Sequence, residues 1–353
     1  MSKIVLISDT HWGCRGDSPV FAKHIARFYN DVFFPYIDSN NINFIFHLGD
    51  IVDRRKYINF LSAKALFVDF INPIKQRKKF LHAIIGNHDT FYKNTNEINS
   101  MDILYGATAP FNYYSDPTEI TIDGCRILLM PWICSSNYDK CIESIKNSKA
   151  QILFGHLELS GFEMYKGSVI NHGYDPKLFE KFDVVCSGHF HHKSSKGNIH
   201  YLGCPYEMTW SDFDDPKGFH VFDTDTRELT FVENPNKIFH KLFYNDVDQR
   251  LDYVMDQKFD YLKDSIVKVV VKNKTNPHMF DLYIEKLEKA GTADIQVVED
   301  HLNLDLEGDE DILDEAEDTL TILKKYAQQV TKQDTKELQA LLQDLYSEAL
   351  MVE

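Results

Sequence analysis

Residues 43–50 read NFIFHLGD, an apolar run that stops on a glycine and an acid. Two other stretches share the design: KIVLISDTH at 3–11 runs into Asp9-Thr10-His11, and KFLHAIIGNHD at 79–89 ends in Gly86-Asn87-His88-Asp89. Between them, residues 20–38 set Val20, Ile25, Phe28, Val32 and Phe33 at helical spacing, and residues 59–73 read as a second helix. Strand–helix–strand alternation predicts a parallel sheet with right-handed crossovers, whose functional groups gather beyond the carboxyl ends of the strands. Each polar cluster falls at such an end, so the pattern that sets the fold also places the chemistry.

Further along, residues 118–232 break into short strands: EITI, CRILLMPW, AQILFGH, FDVVCSGH, NIHYLG, GFHVFD and ELTFVEN. Asp123-Gly124 between the first two is a hairpin signal. These strands predict a second, mixed sheet packed on the first. Residues 265–298 then read as a small βαβ unit: SIVKVVV, a helix at 277–290, and ADIQVVE. The expected division is a main domain over 1–235, a small α/β capping and DNA-binding domain over 236–298, an acidic linker over 299–315, and a helical tail over 316–353. That tail carries Leu320, Leu323 and Ala327 on one amphipathic helix and Leu338, Leu341, Leu342 and Leu345 on the next.

The formal charge of −16 on 353 residues is unevenly spread. Residues 299–318 hold eleven Asp or Glu and no Lys or Arg; without them the charge would be −5. The acid therefore marks a solvated stretch and does not exclude a nucleic-acid substrate, because bound metal ions supply positive charge locally. The six cysteines form no CxxC pair and read as reduced thiols in or near the core. The N-terminal run lacks a basic, then long apolar, leader, and no run reaches the ~18 apolar residues of a membrane span. A soluble, intracellular protein is expected.

Five clusters at strand ends carry the chemistry: Asp9-x-His11, Gly49-Asp50, Gly86-Asn87-His88-Asp89, Gly155-His156 and Gly188-His189-x-His191. In extended chain, residues i and i+2 share a side, so Asp9 with His11, and His189 with His191, are expected to grip an ion in the same way. Carboxylate, amide and imidazole donors without thiolate suit borderline divalent ions such as Mn²⁺, Fe²⁺ or Zn²⁺. The glycine beside four of the clusters allows tight turns and close approach.

The series D-x-H, G-D-x-x-D, G-N-H-D, G-H and G-H-x-H over residues 1–230 resembles the calcineurin-like metallophosphoesterase superfamily. Within it, GNHDTFYKN, DGCRILLMPWIC, GHLELSGFEMYKG, SGHFHH and YLGCPYEMTW resemble the nuclease subunits of SbcCD-type recombination complexes, especially their T4-like phage counterparts. The resemblance implies a four-layer αββα sandwich, an α/β (α+β) fold, with a capping domain and tail. It implies two Mn²⁺ ions, with Mg²⁺, Fe²⁺ or Zn²⁺ as substitutes. Asp9, His11 and His191 would hold the first; Asn87, His156 and His189 the second; Asp50 would bridge them. His88 matches the general acid, Asp53 stands behind the ligands or on the substrate side, and Asp89 is expected to orient His88 by hydrogen bonding. The implied activity is DNA exonuclease and endonuclease cleavage in recombination, repair and replication, in the cytoplasm (a host's, if phage-encoded). The implied partners are DNA, a coiled-coil SMC-like ATPase gripped by the C-terminal helices, and a second copy within a heterotetramer, joined through helices near the N-terminal domain; no membrane is involved.

Arg54, Arg55, Lys56 and Lys93 stand beside these clusters and would contact a DNA backbone, or else form ordinary solvated turns. Tyr92 and Trp12 suit base stacking or core packing equally. His47, His82, His200, His220 and His240 read as core histidines, His192 as structural, and His172 as open between substrate side and mere exposure. Gly49-Asp50-Ile51-Val52-Asp53-Arg54 also resembles the GDxVDRG signature of protein Ser/Thr phosphatases, which makes a phosphatase or a small cyclic-nucleotide phosphodiesterase the rival enzyme. However, that family continues with GNHE and lacks GHxH. A non-catalytic scaffold is the rival from another class, and the filled ligand positions argue against it.

Overall fold

The computed structural model describes residues 2–299, so the acidic stretch beyond Glu299 and the helices expected over 316–353 lie outside the described residues. The chain divides into two compact units. The first comprises Met1–Met208 and Asp214–Ile238; the second takes Thr209–Phe213 and, among the described residues, 239–299.

The first unit opens with β1 (Lys3–Ile7), β2 (Phe44–His47), β3 (Phe80–Ile84) and β4 (Asn112–Tyr114), which pair side by side in parallel. A hairpin, β5 (Thr118–Ile122) with β6 (Cys125–Met130), turns at Asp123-Gly124 and starts the second sheet. β7 (Ile152–His156) joins it in parallel, then comes a small hairpin of β8 (Glu163–Tyr165) and β9 (Ser168–Val169). β10 (Val184–Gly188), β11 (Ser194–Lys196) and β12 (Ile199–Tyr201) complete the second sheet in the order β11-β12-β10-β7-β6-β5. β13 (Gly218–Asp223) and β14 (Leu229–Glu233) then return to the first sheet, giving β14-β13-β1-β2-β3-β4.

This last step corrects the sequence reading, which put GFHVFD and ELTFVEN in the second sheet. β13 lies antiparallel on β1, from Lys3 opposite Asp223 to Leu6 opposite His220. Local alternation cannot say which of two sheets a late strand rejoins; here the free edge of β1 decides it.

Alternation along each strand builds the layers. Ile4, Leu6, Phe46 and Ile84 from the first sheet interleave with Ile127, Leu129, Ile152, Phe154 and Cys186 from the second in one apolar slab. Leu128, Met130, Leu153 and Val185, one residue out of step, face the other way onto Cys141, Ile145 and Phe179 of the flanking helical segments Tyr138–Asn147 and Pro176–Phe179. On the outer face of the first sheet, helical residues 19–39 and 60–76 bring Phe33 within 5.1 Å of Phe219 and Phe70 within 6.1 Å of His47, centroid to centroid. Each of these helices passes through a π-turn, at Tyr29–Phe33 and Leu66–Ile71. The result is the αββα sandwich.

The second unit has β15 (Phe239–Asn245), β16 (Ile266–Asn273) and β17 (Asp294–Glu299), all parallel and in that order. The helix Pro277–Lys289 crosses from β16 to β17 and buries Met279, Phe280, Tyr283 and Leu287 on Tyr244, Val267, Val269 and Val271. Its first turn is fixed by Asn276, whose side chain accepts from the Met279 amide, and by buried Asp246, which accepts from the amides of Thr275 and Asn276. All six cysteines are buried and none is in a disulfide. Among the described residues, no helix is long and apolar enough to cross a membrane.

Of the histidines read as core, His47 and His220 are buried, whereas His82, His200 and His240 are half-buried. His47 is fully buried with Nε2 at 2.9 Å from the Thr10 hydroxyl, and His82 pairs with the Tyr114 hydroxyl at 2.8 Å. Burial pushes His47 and His220 down to about 3 and His24 to about 4, so all three are neutral when folded. The unfolded chain takes up their protons from about pH 6.5 downward while the folded chain does not. Stability should therefore fall as pH drops from 7 towards 4. Thermal unfolding of the full chain across that range checks it, and His220→Gln is expected to flatten the slope.

Candidate metal centre

Beyond Ile7 the chain leaves β1 without leaving its neighbour. Leu48 N donates to Ile7 O, Asp9 N to Gly49 O, His11 N to Asp50 O and Trp12 N to Ile51 O, at 2.8–3.1 Å. The two loops are thus zipped together, which brings Asp9 and His11 alongside Asp50. Asp9, His11, Asp50 and His189 all carry positive φ, of 53°, 41°, 54° and 92°. Such backbone costs about 1–3 kcal/mol per residue and persists where the surroundings over-determine it. The ligand pairs are therefore not presented by extended chain. His189 and His191 do not even share a partner set: His189 groups with Asp50 and His156, His191 with Asp9 and His11.

Asp50 sits between the two groups. Its Oδ2 is 3.8 Å from His11 Nε2 and 3.4 Å from His156 Nε2, while Oδ1 accepts from the His88 amide at 2.7 Å. In the first group, His11 Nε2 and His191 Nε2 face each other at 3.1 Å. In the second, His156 Nε2 meets Asn87 Oδ1 at 2.8 Å. His156 Nδ1–H donates to Leu48 O at 2.7 Å, across from one sheet to the other, which leaves Nε2 as the ring atom turned to Asp50 and Asn87. In the opposite direction, the His189 amide donates to both oxygens of Asp9.

Burial works against charge on every member, and the carboxylates outweigh it at two histidines. His11, beside Asp53, Asp50 and Asp9, and His156, beside Asp50 and Asp9, are lifted to about 9. Asp50 is held well below the carboxylate range by His156, His88 and His11, in spite of burial. Burial raises Asp9 to about 6. The cluster is a cage that selects positive charge. Imidazole nitrogens crowded 3.1 Å apart beside a buried carboxylate are donors of the kind that divalent metal ions take, so the residues fit the metal.

The remaining expected residues divide. His88 is half-buried, with Nδ1–H donating to Asp53 O at 2.5 Å. Asp53 Oδ1 lies 3.5 Å from His11 Nδ1, backing that ring. Asp89 does not touch the His88 ring; it accepts from the amides of Ile51, Val52 and Gly86 at 2.9–3.1 Å and staples the loops after β2 and β3. The orienting group of His88 is thus the Asp53 carbonyl, a backbone atom invisible to side-chain reasoning. Arg54 pairs with Asp17 at 2.8 Å, and Arg55 donates to the Thr90 hydroxyl at 3.2 Å. Trp12 is buried against Tyr29, so its stacking role is removed, whereas Tyr92 is exposed.

Sequence reasoning missed Trp132, whose ring lies 5.1 Å from His189 and 6.1 Å from His156, and Tyr165, edge-on to His191 at 5.9 Å. Trp132 N donates to Ile85 O, tying the end of β6 to that of β3.

Two sheets that deliver histidine, carboxylate and amide donors to one end, around a shared aspartate, define a metallophosphoesterase centre. Residues 2–193 match the calcineurin-like phosphoesterase family, and the chain belongs to it. It is 30% identical over 351 residues to "Exonuclease subunit 1" of Enterobacteria phage T4, covering 99% of each chain. It is also 34% identical over 110 residues to a subunit of the nuclease SbcCD from Staphylococcus epidermidis, covering 27% of this chain and 29% of that one. Among solved structures, the purple acid phosphatase PPD1 of yellow lupin covers 65% of this chain and 52% of its own, at 14% identity and a TM-score of 0.38.

A methyl group at Gly86 would overlap the amide and Oδ1 of Asp50. Gly86→Ala is expected to push Asp50 out of place and weaken Mn²⁺ binding by about tenfold or more, the scale of a disturbed ligand shell, with little change in far-UV circular dichroism. Calorimetric titration of the metal checks it.

Proposed function

We propose that the chain is a metal-dependent DNA nuclease, the cutting subunit of a recombination and repair complex. The observation that carries the reading is Asp50 shared between two groups of donors, in a family member similar over its whole length to a phage exonuclease subunit. The second similar protein also bears the name of a nuclease. Asp9, His11 and His191 form one proposed ion site and Asn87, His156 and His189 the other.

When bound, two divalent ions, Mn²⁺ by preference, supply Lewis acidity to the phosphoryl oxygens and an activated water. Asp50 holds the two sites in register. Asp53 fixes the ring of His11 through Nδ1 and, through its carbonyl, the ring of His88. With Nδ1–H spent on that carbonyl, the other nitrogen of His88 is the atom that can carry a proton to the leaving oxygen. Arg55 and Lys93 are the proposed contacts to the DNA backbone. Arg54, already paired with Asp17, is the weaker candidate.

The test is hydrolysis of linear duplex and hairpin DNA with Mn²⁺, beside a phosphopeptide and a cyclic nucleotide. His88→Ser is expected to lose about 10²–10⁴-fold in rate while keeping its metal, the range of general acid catalysis. Asp50→Ala should lose both. Cleavage of the phosphopeptide alone would move the assignment to the phosphatases.

The proposed partners are a coiled-coil ATPase, bound by residues 316–353, and a second copy of the chain. Deleting 316–353 should abolish co-purification with the ATPase and spare Mn²⁺-dependent hydrolysis. For the second copy, Tyr57, Phe60 and Leu61 stand 61%, 90% and 71% exposed at the start of helical residues 60–76, an apolar patch that water disfavours. Phe60→Asp with Leu61→Asp is expected to give a monomer by light scattering.

A further inference from the structure

The segment leaving β7 turns back over the second group of donors. Glu158 stands two residues past His156, with Oε2 3.6 Å from His189 Nε2 and Oε1 3.1 Å from His172 Nε2. One carboxylate therefore engages two imidazoles, one of them in the metal centre and the other largely exposed.

Its backbone is held from several directions. Leu157 N donates to the Ser187 hydroxyl at 3.0 Å. The buried Tyr201 hydroxyl donates to Leu157 O at 2.9 Å and accepts from Leu159 N at 3.1 Å. Tyr174 N donates to Glu158 O at 2.8 Å, and Ser160 N to Tyr174 O at 3.1 Å. Gly173, at φ 98°, passes so close to Glu158 O that a side chain there would strike the carbonyl. Anchors from β10, β12 and the 171–174 turn converge on residues 157–160, which is more fixation than a surface glutamate needs.

We infer that Glu158 is a positioning residue of the metal centre: its Oε2, facing His189 Nε2, favours the tautomer protonated there and leaves Nδ1 as the nitrogen available to an ion, while its other oxygen holds His172. A carboxylate behind a ligating histidine sets the tautomer, fixes the ring and raises its basicity. The inference rests on the proposed two-ion reading of the site.

Mn²⁺ titrated calorimetrically into metal-free full-length wild type, Glu158→Ala and Glu158→Gln tests it, with the melting temperature of each metal-free protein measured alongside. Wild type is expected to bind two equivalents. Glu158→Ala should lose about 10–100-fold in affinity for one equivalent and keep the other, with its metal-free melting temperature unchanged. Glu158→Gln, whose amide oxygen still accepts the Nε2–H, should recover most of the loss. Binding of both equivalents by Glu158→Ala as tightly as by wild type would overturn the assignment. So would equal weakening of both together with a lowered melting temperature, which is the mark of a merely structural role. No binding by wild type would instead bring down the two-ion reading itself.

Discussion

The donation from His156 Nδ1–H to the carbonyl of Leu48 is the bond on which the site depends. It joins the end of β7 in one sheet to the end of β2 in the other, and it decides which imidazole nitrogen is left for Asp50 and Asn87. Leu48 O also takes the Ser8 hydroxyl at 3.1 Å, so a single buried carbonyl gathers the ends of three strands. Together with the His189 amide on Asp9 and Trp132 N on Ile85 O, that bond sets the common register of the donors from the two sheets. With it, Asp50 and its neighbours can be held in a left-handed backbone that the loops alone would not favour.

Much of the architecture was legible in residue pattern. Apolar runs ending in Asp, Asn or His marked the parallel strands and their functional ends, because a strand buried on both faces must be apolar until the chain reaches the sheet edge. The seven proposed ligands and His88 stood out for the same reason. What pattern could not show was how the ligands are aimed. Alternation suggested that Asp9 and His11 project together from extended chain, but left-handed turns do that work, and His189 and His191 are turned to different groups. Asp89 was read as the partner of His88, yet its oxygens are taken by backbone amides. A carboxylate and a histidine adjacent in sequence invite pairing on paper, whereas three converging N–H groups are a property of folded loops.

The return of β13 and β14 to the first sheet was likewise beyond local pattern. These strands alternate like those before them, and only the unpaired edge of β1 distinguishes their destination. Trp132 was visible only as part of a motif, because its value lies in the shape it presents to His156 and His189. Glu158 carried a signal that was available, since it lies two residues from a proposed ligand.

The apolar slab between the sheets has a meaning besides cohesion. Each donor group takes residues from both sheets, Asp9 and His11 with His191, and His156 and His189 with Asn87, so the thickness of that slab acts as a spacer gauge for the chemistry. Phe46 and Phe154, in contact at 5.4 Å, lie in it beneath the loops that carry the donors. A close-packed interior yields little to compression, and a change of one methylene there is felt by its neighbours. The hydrocarbon interior of this protein is thus part of its measuring apparatus, setting a separation that no polar residue sets alone.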